Sequence, residues 1–234
     1  MNLFVLHYNP NTAASYMCDR HICKMLVEYA QILYAVLQHH WQRTMPDVRL
    51  PNGTVAKPYR VAYKHHPVVL WAAACEAHAQ WIVTHAQMLA IMFSAYSTTC
   101  DTHTCQHHIN AIDKYMHAHE GLLMPQPLSL AEFQVKYPQA ADKASSLHPP
   151  DGCDYGVVCA DPPDDVPDVK VFYKGQLSVV DSYRRLYAYK GKFKFPMEWM
   201  RSTIMPSDLE PWFDTYAPNV EPLTRKRKRV ELEA

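Results

Sequence analysis

Apolar positions along the chain change rhythm several times, and each change marks an element. Residues 2–7, Asn-Leu-Phe-Val-Leu-His, alternate weakly and predict one short strand. Asn9 then stands as a helix N-cap ahead of Pro10 at the first helical position, and a helix or helix pair should run to about Trp41. Residues 42–60 contain Pro46, Pro51, Asn52-Gly53 and Pro58, which is the chemistry of a loop. His66-Pro67 opens the longest periodic stretch, alanine-rich and largely apolar on all sides through Tyr96, as a central buried helix requires. A third helix is predicted over 104–120. Residues 121–170 are proline-rich and predict a long, mostly irregular connection with at most one short helix near 129–135. Residues 170–175 read as a short strand and 177–193 as a last helix. The fold class expected is mainly α with a short N-terminal strand and minor β. One domain should cover 1–217, followed by a flexible basic tail over 218–234.

Composition narrows the possibilities. Hydrophobic residues make up 48% of the 234 positions, enough for a sizeable core. Charge is balanced at 23 basic and 23 acidic residues, with 14 histidines, but unevenly placed. Residues 162–168 are acidic, whereas 183–195 and 225–229 are strongly basic, so a zero total does not exclude nucleic acid. No signal-peptide pattern opens the chain and no run of about 18 apolar residues occurs, so no membrane partner is expected. The seven cysteines then read as mostly buried thiols in a reducing compartment. None of the six glycines forms a dinucleotide-binding or P-loop pattern, so phosphate would have to be held by side chains and helix N-termini.

Candidate chemistry concentrates in four places. His21, Lys24, Glu28 and Gln31 follow a spacing that puts them on one helical stripe, with Asp19 and Arg20 in its first turn. The bland reading is a solvated face carrying a Lys24–Glu28 pair worth a few tenths of a kcal/mol (about 0.2–0.5). His78 and His85 read first as satisfied core histidines. His65 and His66 sit at a helix mouth, a place that suits an anion. Cys100, His103, Cys105, His107 and His108 invite a zinc reading, but their spacing is irregular, and Cys153 and Cys159 join them only if the long connection folds back. No metal and no cofactor are expected. The last helix interleaves Arg184, Arg185, Lys190, Lys192 and Lys194 with Tyr183, Tyr187, Tyr189, Phe193 and Phe195. Cations for phosphates and rings for stacking suit nucleic acid, and an amphipathic packing helix would read the same way.

Taken together, several stretches resemble one family. Residues 1–33 are similar to the opening of small phage-encoded proteins in which a short strand precedes a Cys-Asp-Lys-His helix. Tyr63–Trp71 looks like that family's Thr-His-x-x-His-Pro-x-x-x-Trp segment, residues 181–193 resemble its Ala-Tyr-Arg-x-Tyr-Tyr helix, and Glu210–Phe213 its closing Pro-Glu-Trp-Phe. The match runs through residues 1–213 in order, as islands. Arg20 replaces the usual lysine, residues 97–108 depart from an expected Arg-Tyr-Gly-Lys stretch, and the proline-rich insert has no counterpart. The resemblance implies phage DNA hypermodification by an amino acid:DNA transferase, of a clade formerly described as thymidine pyrophosphorylase. Such an enzyme replaces the phosphate of a phosphorylated 5-hydroxymethyluracil with an amino acid's amine. Its partners would be double-stranded DNA carrying modified thymidine and a free amino acid, in the cytoplasm of an infected host.

In that chemistry His21 would accept the proton, because its reference pKa lies near neutrality, and Asp19 or Glu28 would orient it. Lys24, Arg184 and His66 would hold phosphate, and His65, Tyr183 and Lys190 would meet DNA. The alternative from the same field is a DNA glycosylase or lyase in which Asp19 or Lys24 acts at the sugar. A third reading is a non-catalytic DNA-binding or host-takeover protein. A catalytic site predicts that the first and last helices lie together, bringing His21, Lys24, Tyr183 and Arg184 into one cleft that also receives His65 or His66.

Overall fold

The computed structural model describes residues 3–45, 47–98, 100–121, 127–146, 155–157, 170–193, 197–199 and 206–214. The predicted tail over 218–234, with its basic run, and Cys153 and Cys159 lie outside the described residues. The described fold is mainly α. Helix α1 spans Pro10–Ser15, α2 Asp19–Tyr34, α3 Pro67–Ala73, α4 Glu76–Tyr96, α5 Cys105–Ala118, α6 Leu130–Lys136, α7 Val179–Phe193 and α8 Glu210–Asp214. A π-helical turn, Ala35–His40, extends α2. The β structure among the described residues is three antiparallel pairs: β1 (Val48–Arg49) with β2 (Val55–Ala56), β3 (Ala144–Ser146) with β4 (Tyr155–Val157), and β5 (Val171–Tyr173) with β6 (Gln176–Ser178).

Helix α4 forms the axis, packed by α1, α2, α3 and α5. It meets the apolar face of α2, where Ile22, Met25, Leu26, Tyr29, Ile32 and Leu33 are fully buried. Each such aliphatic side chain contributes roughly 1.5–3 kcal/mol on burial. Asn9 caps α1 as its position ahead of Pro10 predicts, its Oδ1 accepting from the N–H groups of Asn11 and Thr12.

The expected N-terminal strand takes a different form. Leu3, Phe4, Val5 and Leu6 are buried, but pair with no strand among the described residues. Side chains take the backbone groups that a ladder would have used. Arg184 Nε donates to the Leu6 carbonyl (2.9 Å), and the Tyr29 hydroxyl hydrogen-bonds the Phe4 backbone. The segment is therefore a thread through the core that needs no neighbour.

The long central helix is broken at Ala74–Cys75, where Cys75 adopts an extended backbone. A break inside a core orphans the last carbonyls of the first helix, which must find partners. Here they do. The Trp71 carbonyl accepts from His78 Nδ1 (2.8 Å), the Ala73 carbonyl from Trp41 Nε1 (2.9 Å), and the Ala74 carbonyl from Leu128 N–H (2.9 Å). His78 also stacks on Trp71, with centroids 4.5 Å apart and planes at 14°. The apolar periodicity across the break is continuous, so the interruption is set by long-range partners rather than by a local signal.

Two predicted loops also contain structure. Residues 42–60 hold the β1–β2 hairpin, whose turn places Gly53 at φ +80°. The proline-rich connection forms α6, opened by a capping box between Ser129 and Glu132, and then the β3–β4 pair. Strand β4 is locked to the core because Trp71 Nε1 donates to the Tyr155 carbonyl (2.7 Å). No helix of the described structure is long and apolar enough to cross a membrane.

Candidate active site

The N-terminus of α2 carries no side-chain cap of its own, and its backbone groups are satisfied from the C-terminal third of the chain. Cys18 N–H donates to the Tyr187 hydroxyl of α7 (2.6 Å), and Asp19 N–H to the Glu198 carbonyl (2.8 Å). Trp199 Nε1 reaches the Tyr16 carbonyl (3.0 Å), and the Tyr96 hydroxyl donates to the Asp19 carbonyl (3.1 Å). Helix α7 is thereby fixed against the first turn of α2. Tyr187→Phe leaves the buried Cys18 N–H without its acceptor, and a loss of about 1–3 kcal/mol is expected in urea unfolding. An unchanged midpoint would mean that the turn is satisfied in another way.

His21 lies in this junction, only 4% exposed. Its ring stacks on Phe4 (4.8 Å, 26°) and leans on Tyr187 (5.1 Å), with Cys18 Sγ 3.5 Å from Nδ1. Burial, reinforced by the charges of Lys190, Lys24 and Arg20, pulls its pKa down to about 3. The imidazole is therefore neutral at pH 7, and its conjugate acid is too strong for the neutral-pH general base expected from its reference pKa. The same three cations make the junction a place for an anion. Lys190 also sits 5.7 Å above the Phe4 ring. Burial also pushes the Cys18 thiol up.

The other predicted residues separate. Lys24 is exposed and pairs with half-buried Glu28 at 3.2 Å, so the bland surface-pair geometry coexists with proximity to His21. Asp19 is partly buried at the first turn. Tyr183 is fully buried and donates to the Val157 carbonyl (3.1 Å), a core position facing no solvent. Arg184 is occupied by the Leu6 carbonyl and lies 3.9 Å from the Asp181 carboxylate. His65 and His66 do not enter the cleft. Helix α3 packs on the π-turn at the other end of α2, so the His65 ring lies against His39 (6.2 Å), some 18 residues or about 25 Å along the helix from His21. His66 caps α3, its Nδ1 accepting from Val68 N–H. Geometry thus gathers His21, Lys24, Glu28, Asp19 and Lys190, with the buried Tyr183 ring meeting the same Phe4 ring edge-on (6.1 Å), while Arg184 turns to the Leu6 carbonyl and His65 and His66 lie at the far end of the helix.

The Cys/His stretch takes a form that its spacing did not reveal. His103 Nε2 faces Cys23 Sγ of α2 at 3.4 Å, while its Nδ1 accepts from Cys105 N–H. That bond assigns the ring proton to Nε2, which occupies the nitrogen that a metal on the Cys23 side would need. Cys105 Sγ is 2.9 Å from the Tyr59 hydroxyl, and His108 Nδ1 is 2.7 Å from that of Tyr34. Among the described residues no group of three or more His, Cys, Asp and Glu is arranged to hold a metal, and the five described cysteines are free thiols. A cavity of about 280 Å³ between α4 and α5, lined by Glu76, Gln80, Met116, His117 and Glu120, holds none of the predicted residues.

Comparison with known proteins adds one finding. Residues 1–94 match the model of the pyrimidine dimer DNA glycosylase family, a stretch that contains Phe4, the whole α2 side of the junction and α3, but not α7. No curated protein and no solved structure matches the chain. Over its first 94 residues the chain is similar to a family of DNA repair enzymes that act on pyrimidines.

Proposed function

We propose that the protein is an enzyme acting on pyrimidine nucleotides in DNA, cleaving the base–sugar bond with Lys24 as nucleophile. The observation that carries this reading is the placement of an exposed amine, with a carboxylate 3.2 Å away, beside a buried neutral imidazole within the family-matched stretch. Glu28 takes a proton from the Lys24 ammonium. The amine forms a bond to C1′ of the deoxyribose as the bond from C1′ to the pyrimidine N1 breaks, and the departing base takes a proton from water. The sugar ring opens to an imine, which water hydrolyses to free the enzyme. Arg20 and Lys190 hold a neighbouring phosphate. His21 positions the pocket as a neutral group.

A second reading, transfer of an amino acid's amine onto phosphorylated 5-hydroxymethyluracil, is favoured by one observation: the charges of Lys190, Lys24 and Arg20 all act on His21, and cations in one neighbourhood suit a departing phosphate. One experiment separates the two. The protein is incubated with DNA containing pyrimidine dimers and, separately, with DNA containing phosphorylated 5-hydroxymethyluracil plus free amino acids, followed by mass spectrometry of the nucleosides. Abasic sites or released base support cleavage, an amino-acyl thymidine adduct with lost phosphate supports transfer, and neither product on either DNA removes both readings.

A further inference from the structure

The far end of α2 carries a second cationic surface. Residues 38–75 contain five Lys and Arg and four histidines against a single carboxylate, Asp47. Lys57, Arg60, Lys64 and His65 are exposed, and among the described residues no carboxylate pairs with Lys57, Arg60 or Lys64. Histidine rings gather beside Lys64. The His39 ring lies 4.8 Å from His40 and 6.2 Å from His65, while His40 Nε2 donates to the Lys64 carbonyl (2.8 Å). Burial, then Lys64 and His65, lower the pKa of His39, and exposed Lys136 of α6 is among the charges acting on His40, so a second element adds a cation here. Next to Lys64 in the chain stands Tyr63, 68% exposed and at φ +52°, a left-handed conformation that is unfavourable for a bulky side chain. His66 N–H donates to the Tyr63 carbonyl and closes the turn that holds the ring outward.

We propose that Tyr63, Lys64, His39, His65 and Lys136 form a second DNA contact, gripping the duplex backbone to one side of the target nucleotide. The proposal rests on DNA being the substrate and deepens that reading by defining how far the duplex must extend. About 25 Å along α2 corresponds to roughly seven base pairs at 3.4 Å each. Unpaired cations beside an outward aromatic ring suit phosphates with a sugar or base stacked among them.

The test compares two duplexes with the same target nucleotide, one ending three base pairs beyond it and one extending fifteen on both sides, by fluorescence anisotropy at several salt concentrations. The paired substitution Lys64→Ala with Lys136→Ala should weaken the long duplex about 10-fold and lower its salt slope by about two, leaving the short duplex unaffected. Tyr63→Ala should weaken the long duplex alone. Thermal melts monitor folding. Equal weakening of both duplexes, or of neither, overturns the proposal. If length-dependent binding holds while no pyrimidine is processed, the glycosylase reading fails and this surface stands. If turnover is seen without length dependence on Lys64 and Lys136, the reverse follows.

Discussion

Lys24→Ala is expected to lower base release by at least about 10³-fold and to abolish a borohydride-trapped protein–DNA adduct. Loss of a nucleophile removes the route itself, and what remains is the background from binding and electrostatics. Reduction of the imine by borohydride would convert it to a stable secondary amine, so the wild-type protein should carry one DNA strand at Lys24 by peptide mapping. Lys24→Arg sharpens the result because it keeps the cation and the Glu28 pair but not the attacking amine. It should bind DNA normally and still form no adduct. Glu28→Gln should slow the reaction by about 10²–10⁴-fold, the range for a lost proton acceptor, with modest change in affinity. Full activity of Lys24→Arg would reassign Lys24 to a phosphate contact and strengthen the transfer reading. An adduct persisting in Lys24→Ala would move the nucleophile elsewhere.

Acidification should unfold this protein well above the usual carboxylate range. His21, His78 and His85 are buried, and burial pulls their pKa values down to about 3, 4 and 3. Unfolded, each titrates near 6.5, so below that pH the unfolded chain binds protons that the folded chain refuses. Their contribution is fully present above about pH 6.5 and is lost as pH falls toward the folded values. Each fully shifted histidine costs about 1.4 kcal/mol per pH unit in that window, and three together about 4. From pH 6.5 to 4.5 the loss is on the order of 8 kcal/mol, comparable with the whole stability of a typical domain. Urea midpoints followed by circular dichroism between pH 7 and 4.5 should fall steeply, and His85→Phe should reduce the slope by about a third. A flat profile would mean that these imidazoles admit protons in the folded state. Replacing His21 with Ala tests its remaining role: positioning predicts a modest loss of turnover with loss of stability, since the stacking on Phe4 and Tyr187 disappears.

The relation between the junction and the family-matched stretch explains how the site is assembled. The match ends at residue 94, yet the groups that satisfy the N-terminal N–H groups of α2 come from Tyr187 and Glu198, and Trp199 bonds the Tyr16 carbonyl just before it. Substitutions in α7 should therefore affect the geometry of Lys24 and His21 without touching a matched residue.

Sequence alone determined the helical character, because α1 follows from its local cap and α2, α5 and α7 from a 3.6-residue apolar rhythm that packing then rewards. Asn9, Pro10 and the Ser129–Glu132 box mark helix starts through bonds spanning three residues, so they are readable without tertiary context. The Lys24–Glu28 pair is local in the same sense. Tertiary structure decided the rest. Whether residues 67–96 form one helix or two depended on Trp41, Leu128 and the His78 side chain reaching orphaned carbonyls, and the N-terminal segment found Arg184 rather than a partner strand. His21 reads as a neutral-pH base from its reference pKa, whereas burial among Phe4 and Tyr187 and the nearby cations hold it neutral far below that. Cys23 and His103 are 80 residues apart and meet only because α5 packs on α2. His65 and His66 carry suitable chemistry but follow α3 to the opposite end of α2. Short-range hydrogen bonds and periodicity are written in neighbouring residues, while burial and long-range contact, which set charge state and convergence, exist only after the chain has closed on itself.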